Sequence, residues 1–338
     1  MSLRTTLGSA ARFGAAAVLG RPTLLGLGWS ITQVCNARCP FCSRHGGPAG
    51  VGTQAALDVV DQLASLGCRR VHFTGGEPLT RPDLSQILAR VRQRGMTSSV
   101  NTNGILLTER PEVIEQADAF LVSLDGVAAV HDAYRGAGAH DRALAGLAAL
   151  GRAHKPALLS VTLFQRNLDQ LPYLLDVARR FRSRLVVQPG ATHVLGSGDP
   201  NPEAPDVQRY RAAIRSLSGD PRRFAWVWNS ARGLRELERY PERHRLRPHA
   251  GRITARLEVD GRLFPCSRSV NDPSALPAPN VLELGVREAF RRLPRIDCSG
   301  HVCQCAHNVE KGLLFSLEPG AWWDLATRRW AEARRMAG

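Results

Sequence analysis

The sequence predicts an α/β fold: a parallel sheet with crossover helices, followed by a small C-terminal domain of mixed α and β character. Three observations predict it. Short strand-like apolar runs alternate with helix-period segments about six times before residue 190. Polar clusters with turn residues (CNARCPFC, GGEP, NTNG and SLDG) sit where the strands should end, the end at which such sheets carry their chemistry. After Pro189 the texture turns to Gly, Pro, Asp and Asn, and the pattern stops. Six units fall short of the eight that close a barrel.

The elements follow in order. Residues 1–28 are an apolar segment carrying Arg4, Arg12 and Arg21. Its longest charge-free run is far shorter than the ~20 residues a bilayer crossing needs, and Arg21-Pro22 splits it. Two roles remain: an interfacial helix with Phe13, Val18 and Leu19 dipping into lipid, or, favoured, a helix covering one end of the domain. Residues 29–195 form the core. Strands fit 29–34, 70–74, 97–101, 119–124, 157–164 and 184–188. Helices fit 53–66, where Leu57, Val60, Leu63 and Leu66 have helical spacing, and 82–94, 111–116, 140–151 and 167–181. Residues 196–250 read as a linker with bridging helices near 207–216 and 234–239. Residues 251–338 read as the small domain, opened by a hairpin over 252–265 whose Asp260-Gly261 pair suits a tight primed turn.

Composition bounds the function. The 338 residues hold 43% hydrophobic and 22% charged side chains, an ordinary globular balance that builds a core without disulfides. No cleavage site follows the N-terminal apolar run, so a reducing cytoplasmic compartment is expected, with peripheral membrane contact through the N-terminus as the variant. There clustered cysteines bind metal more often than they pair. Lys plus Arg number 45 against 30 Asp plus Glu, a net +15 that favours an anionic partner. The arginines are spread over helices without dense basic and aromatic runs, which argues against specific nucleic-acid binding.

The stretch CNARCPFC puts Cys35, Cys39 and Cys42 into eight residues of a chain with eight cysteines. Zinc is one candidate, although it usually recruits paired CxxC knuckles, and only His45 stands near as a fourth ligand. An iron–sulfur cluster is the other: three thiolates leave one iron free for a substrate, a chemical use for an incomplete ligand set. Cys266, Cys298, Cys303 and Cys305 form a second set, and Cys68 reads as a buried small hydrophobe.

The pattern CxxxCxΦC, with Phe41 as its aromatic, followed by GGEP at 75–78, NTNG and SLDG, resembles the radical S-adenosylmethionine superfamily over residues 29 to about 190. The resemblance implies a partial, TIM-like (β/α)6 barrel. Cys35, Cys39 and Cys42 would ligate three irons of a 4Fe-4S cluster, whose fourth iron would take the amine and carboxylate of S-adenosylmethionine. Gly75 and Gly76 would let the backbone approach that ligand, and Glu77 would face its ammonium. Phe41 would lie along the adenine through its backbone. Asn101, Asn103, Ser123 and Asp125 would stand at the ribose and carboxylate, with Arg135 of HDAYRG as a carboxylate clamp.

The C-terminal residues LEVDGRLFPCSRS and DCSGHVCQCAHN partly resemble the SPASM and twitch extensions that hold auxiliary clusters; PHAG, with Pro248, stands where those have a Cys. One auxiliary 4Fe-4S cluster on Cys266, Cys298, Cys303 and Cys305 is implied. His249, His301 or His307 are substitute ligands because Cys303 and Cys305 are so close, and structural zinc is the competing reading. The family then implies hydrogen abstraction from a small-molecule, peptide or lipid-linked substrate, with a flavodoxin- or ferredoxin-like reducing partner. Peptide-modifying members commonly carry an N-terminal winged-helix recognition domain, and 34 residues precede Cys35, which favours tailoring or dehydrogenation over peptide crosslinking. No catalytic acid or base is assignable from the sequence.

Overall fold

The computed structural model describes residues 22–194, 199–242, 246–247, 249–267, 269–271, 277–294 and 305–316, with 13, 14, 16, 18 and 320. Six strands, β1 (Gly26–Thr32), β2 (Arg70–Gly75), β3 (Thr97–Thr102), β4 (Ala119–Ser123), β5 (Ala157–Leu163) and β6 (Arg184–Pro189), pair in parallel with their sequence neighbours. Helices α1 (Thr53–Ser65), α2 (Leu84–Gln93), α3 (Pro111–Gln116), α4 (Ala128–Arg135), α5 (Ala139–Arg152) and α6 (Leu171–Arg180) lie in the crossovers. The expected strands and the helices over 53–66, 82–94, 111–116, 140–151 and 167–181 are all present within a few residues. Helix α4 is additional.

Alternation along the strands explains the layering. On one face Val71, Phe73, Val100, Phe120, Val122, Leu159, Val161, Leu185 and Val187 are fully buried, in one core with Val60 and Leu63 of α1, Ile87 of α2 and Leu174 of α6. The opposite face of the same strands carries Ser30, His72, Ser99, Asn101, Ser123, Ser160, Thr162 and Gln188, interrupted by Ala119, Leu121, Leu158 and Val186.

Beyond Pro189 the structure departs from the expected linker. Residues 199–206 return over the strand ends, where the Gln165 amide donates to the Glu203 carbonyl at 3.0 Å. After α7 (Val207–Ser218) and the short α8 (Pro221–Phe224), residues 226–228 pair with the edge of β6: the Leu185 amide donates to the Trp226 carbonyl and the Trp228 amide to the Leu185 carbonyl, each at 2.8 Å. Asn229 receives and returns a backbone bond with Val187, both at 3.0 Å. This covers an edge that would otherwise present unpaired amides.

The hairpin also differs from expectation. β7 (Thr254–Leu257) is a parallel neighbour of β1, pairing Gly26–Trp29 with Thr254–Leu257, and β8 (Leu263–Phe264) follows antiparallel, so the sheet has eight strands in the order β6-β5-β4-β3-β2-β1-β7-β8. The hairpin therefore extends the core sheet and opens no separate one. Its turn is longer than the tight two-residue form: the Glu258 amide bonds the Arg262 carbonyl, enclosing Val259, Asp260 and Gly261, and Gly261 takes a positive φ of 85°.

Helix α9 (Ala231–Glu238) is capped by Ser230, whose hydroxyl accepts from the Gly233 amide. Helix α10 (Val281–Arg291), kinked at Gly285, docks on α1, the Val286 amide donating to Gln62 Oε1 at 2.8 Å. Helix α11 (Ala306–Phe315) covers the polar face of the sheet. Its start lies at Gln188, His307 stacks 6.3 Å from His72, Val309 and Leu313 pack with Val186, and Phe315 reaches Ile253 just before β7. There Phe315 meets Phe13 edge-on at 5.8 Å, and Ala16 is fully buried, as the covering role expected for the N-terminal segment requires. Val18 is exposed. No helix among the described residues is long and apolar enough to cross a membrane.

Candidate active site

The cysteine loop leaves β1 at the end where the sheet opens. Thr32 Oγ1 accepts from the Val34 amide at 3.0 Å, and the Cys42 amide donates to the Cys39 carbonyl at 3.0 Å, folding the loop back on itself. The three sulfurs are partly exposed, and two already receive amides: Ala37 N–H to Cys35 Sγ and Arg44 N–H to Cys42 Sγ, both at 3.4 Å. Amide donors to cysteine sulfur are among the groups that tune iron–sulfur clusters. Burial raises the Cys35 thiol above its ordinary range, and it pushes Cys39 up to about 11 against the opposing pull of Arg135. Thiolate ligation there would release protons on metal binding. His45 is exposed, and no three His, Cys, Asp or Glu among the described residues are grouped to hold a metal ion.

The second strand end is locked to the first. A Cβ on Gly75, which has φ +136°, would stand 2.1 Å from the Thr32 carbonyl oxygen, and one on Gly76 would stand 2.3 Å from that of Val34. The expected reason for these glycines was approach to a ligand; the contact that excludes a side chain is with the chain leading into the cysteine loop. Glu77 is buried, and its carboxylate accepts from the Leu79 amide at 3.1 Å, Thr102 Oγ1 at 2.8 Å and the Asn103 amide at 2.7 Å. Burial raises its pKa against those donors. A carboxylate has about four lone-pair positions, so roughly one is left for a further donor.

At the third strand end Asn103 binds protein on every side: its Nδ2 donates to Asn36 Oδ1 at 2.7 Å, and its Oδ1 accepts from the Ile105 amide at 3.0 Å. It ties β3 to the cysteine loop. Asn101 is the opposite case, its Oδ1 buried without a hydrogen-bond partner among the described residues. Ser123, partly buried, ends β4 on the same polar face.

Asp125, fully buried, is clamped by Arg135 through Nε to Oδ2 at 2.5 Å and Nη2 to Oδ1 at 3.3 Å. His131, also fully buried, sets Nδ1 3.1 Å from the Asp125 amide and 3.3 Å from Asp125 Oδ2. Burial alone would raise the Asp125 acid; Arg135 and His131 outweigh it and hold the pKa down at about 2. Arg135 stays charged because the Asp125 carboxylate beside it outweighs its burial. Asp132 caps the next helix through the Gly138 and His140 amides, at 2.7 and 2.8 Å. His131 and Asp132 went unassigned in the sequence, although both stand in the HDAYRG motif that supplied Arg135.

Phe41 stacks its ring on Phe164 at 4.2 Å and meets Tyr134 edge-on at 5.3 Å. Tyr134 in turn donates to Glu203 Oε2 at 3.1 Å, and Glu203 pairs with Arg166 at 2.6 Å. The Phe41 side chain is thus a structural anchor, which leaves only its backbone for an adenine.

Of the second cysteine set, Cys298 and Cys303 lie outside the described residues, as do His301 and Pro248. Cys266 follows β8 with its amide bonded to Ser269 Oγ at 3.1 Å, and Cys305 precedes the first turn of α11; both are partly buried. His249 is buried and His307 partly buried, and burial with Lys311 lowers each to about 3, so both are neutral at physiological pH. Cys68 is buried, as expected.

Comparison with known proteins follows the same division. The model of the Radical SAM superfamily matches residues 29–178. An AdoMet-dependent heme synthase of Methanosarcina barkeri is 37% identical over 164 residues, 45% of this chain and 46% of that protein, so the chain spans under half of that relative. A PqqA peptide cyclase of Gluconobacter oxydans is 26% identical over 323 residues, covering 91% of this chain and 84% of that protein. Among solved structures, Streptococcus suis SuiB bound to S-adenosylmethionine superposes with a TM-score of 0.67 at 15% identity, over 83% of this chain and 69% of that one.

Proposed function

We propose that the chain, whose residues 29–178 match the Radical SAM superfamily, acts as a radical S-adenosylmethionine enzyme that binds a 4Fe-4S cluster on Cys35, Cys39 and Cys42 and uses it to abstract hydrogen from a peptide substrate. The buried Asn101 Oδ1, without a partner among the described residues, is the observation that best fits a polar ligand at the strand ends, since such an atom is costly unless something satisfies it.

When bound, the cluster supplies one electron that cleaves S-adenosylmethionine into methionine and a 5′-deoxyadenosyl radical. The chain's own residues bind and orient. Glu77 keeps about one acceptor position for the ammonium; Arg135, fixed at one edge by Asp125, retains donors for the carboxylate; Asn101 and Ser123 offer polar atoms to the ribose; and the Phe41 backbone takes the adenine. None of these groups has to move a proton in that step.

The choice of a peptide rests on coverage. The heme synthase resemblance stops at about half of this chain, whereas the peptide cyclase resemblance runs through the C-terminal region, where an added domain would meet a substrate. Cys266, Cys298, Cys303 and Cys305 would hold one auxiliary 4Fe-4S cluster, and a flavodoxin- or ferredoxin-like protein would supply electrons. Lipid-linked substrates have less support, because Phe13 and Ala16 turn to the protein.

Incubation of anaerobically reconstituted protein with dithionite and S-adenosylmethionine should release 5′-deoxyadenosine, and its absence from well-loaded protein would refute the activity. About eight iron and eight sulfide per chain support two clusters, and about four of each with bound zinc would remove the auxiliary one.

A further inference from the structure

No sequence motif assigns a role to Arg44 or Glu258, yet they form a buried ion pair across 214 residues. Arg44 is 9% exposed and follows Cys42 by two positions; its Nη1 donates to Ser30 Oγ and to Glu258 Oε2, both at 3.0 Å. Glu258 Oε1 accepts from Ser30 Oγ at 3.1 Å and from Arg256 Nε at 2.8 Å. Both carboxylate oxygens are thus taken, while Arg44 has used one nitrogen of three. Its Nε and Nη2 have no partner among the described residues, and Arg44 lines a cavity of about 210 Å³ together with Gln33, Ser43, Glu258, Asp260 and Arg262. Asp260 is itself paired with Arg262 at 2.6 Å.

The charge balance selects the ligand. Two guanidiniums on the cavity wall, Arg44 and Arg262, and a third behind it, Arg256, which pairs with Glu258, meet two carboxylates, Glu258 and Asp260, each already held by an arginine. One positive charge is in excess, which suits a monoanion and leaves no free carboxylate for a cation. The Nε and Nη2 donors form the parallel fork that matches a carboxylate. Glu258 and Ser30 fix the guanidinium beforehand, so little side-chain entropy is lost on binding.

We propose that this cavity, between the cysteine loop and the β7–β8 turn, binds a carboxylate of the substrate, with Arg44 as the residue that grips it. The inference rests on the proposed activity, because it places the anchored carboxylate beside the loop that would hold the cluster. A peptide C-terminus and a small carboxylic acid share this chemistry.

The test uses reconstituted holoenzyme and three probes, N-acetyl-alanyl-alanine, its C-terminal amide and propionate, with dissociation constants read by ligand-observed NMR titration. The free acid should bind wild-type protein about tenfold more tightly than the amide. Arg44→Lys, which keeps the charge and loses the fork, should abolish that preference. Arg262→Gln, which frees Asp260 to repel an anion, should reduce it. Propionate matching the dipeptide acid identifies a small acid as the ligand, a tighter dipeptide identifies a peptide terminus, and both support the site. Equal binding of acid and amide, or a preference unchanged in Arg44→Lys, overturns it. If circular dichroism shows Arg44→Lys misfolded, the acid–amide pair on wild type and Arg262→Gln decide alone. Wild-type 5′-deoxyadenosine release, assayed without probes, separates the two claims: a carboxylate preference without cleavage refutes the activity, and cleavage without the preference refutes this site.

Discussion

The two faces of the parallel sheet come from alternate residues of the same strands, yet they do different work. On the face turned to α1–α6, Phe73, Val100, Phe120 and Val161 are sealed from water, and the polar Ser98 and Thr102 of β3 are buried among them with hydrogen-bond partners. On the face covered by α11, His72, Ser99, Asn101, Ser160 and Gln188 replace them, and at its open end stand Glu77, Asp125, Arg135 and the three thiols. The difference teaches that the outer face carries folding energy while the inner face holds polar atoms in place for a ligand. Substitutions should divide accordingly.

The largest effect separates chemistry from folding outright. Cys35→Ala should abolish 5′-deoxyadenosine formation with the far-ultraviolet circular dichroism unchanged; a retained product would remove the cysteine loop from the reaction. On the outer face Phe120→Ala should cost about 3–5 kcal/mol in urea unfolding, the range for emptying a packed aromatic site. A loss under about 1 kcal/mol would mean the core relaxes around it.

Asp125 belongs to the inner face but is paired like a structural element. Its pKa is held at about 2 in the fold against 3.8 ordinarily, so it contributes about 2 kcal/mol above the ordinary value. That contribution is lost as pH falls through 3.8 towards 2. Asp125→Asn should therefore be less stable than wild type by about this amount at pH 7, with the two converging in acid; a gap independent of pH would contradict the ion pair. The smallest effect is expected from Ser160→Ala, on the inner face of β5, which should change stability by less than about 0.5 kcal/mol.

What the sequence made legible was local. The six strands, the crossover helices and the polar clusters at strand ends follow from periodicity and turn chemistry within short windows, and the loop with Cys35, Cys39 and Cys42 is its own motif. What stayed hidden is non-local. Nothing near Arg256 says that β7 lies beside β1, and Arg44 and Glu258 have no shared signal across 214 residues. Helix α11 carries Val309 and Leu313 at helical spacing, but no periodicity tells which surface a helix covers. The glycines of GGEP serve a partly different purpose: they make room for the Thr32 and Val34 carbonyls. His131 is legible with Arg135, since both stand in HDAYRG.

The central claim is that Cys35, Cys39 and Cys42 hold a cluster with one iron open to S-adenosylmethionine. Electron paramagnetic resonance of the dithionite-reduced protein, with and without that compound, tests it directly. The account predicts a shifted signal on addition that is absent from Cys35→Ala; an identical spectrum from well-loaded wild-type protein would contradict it.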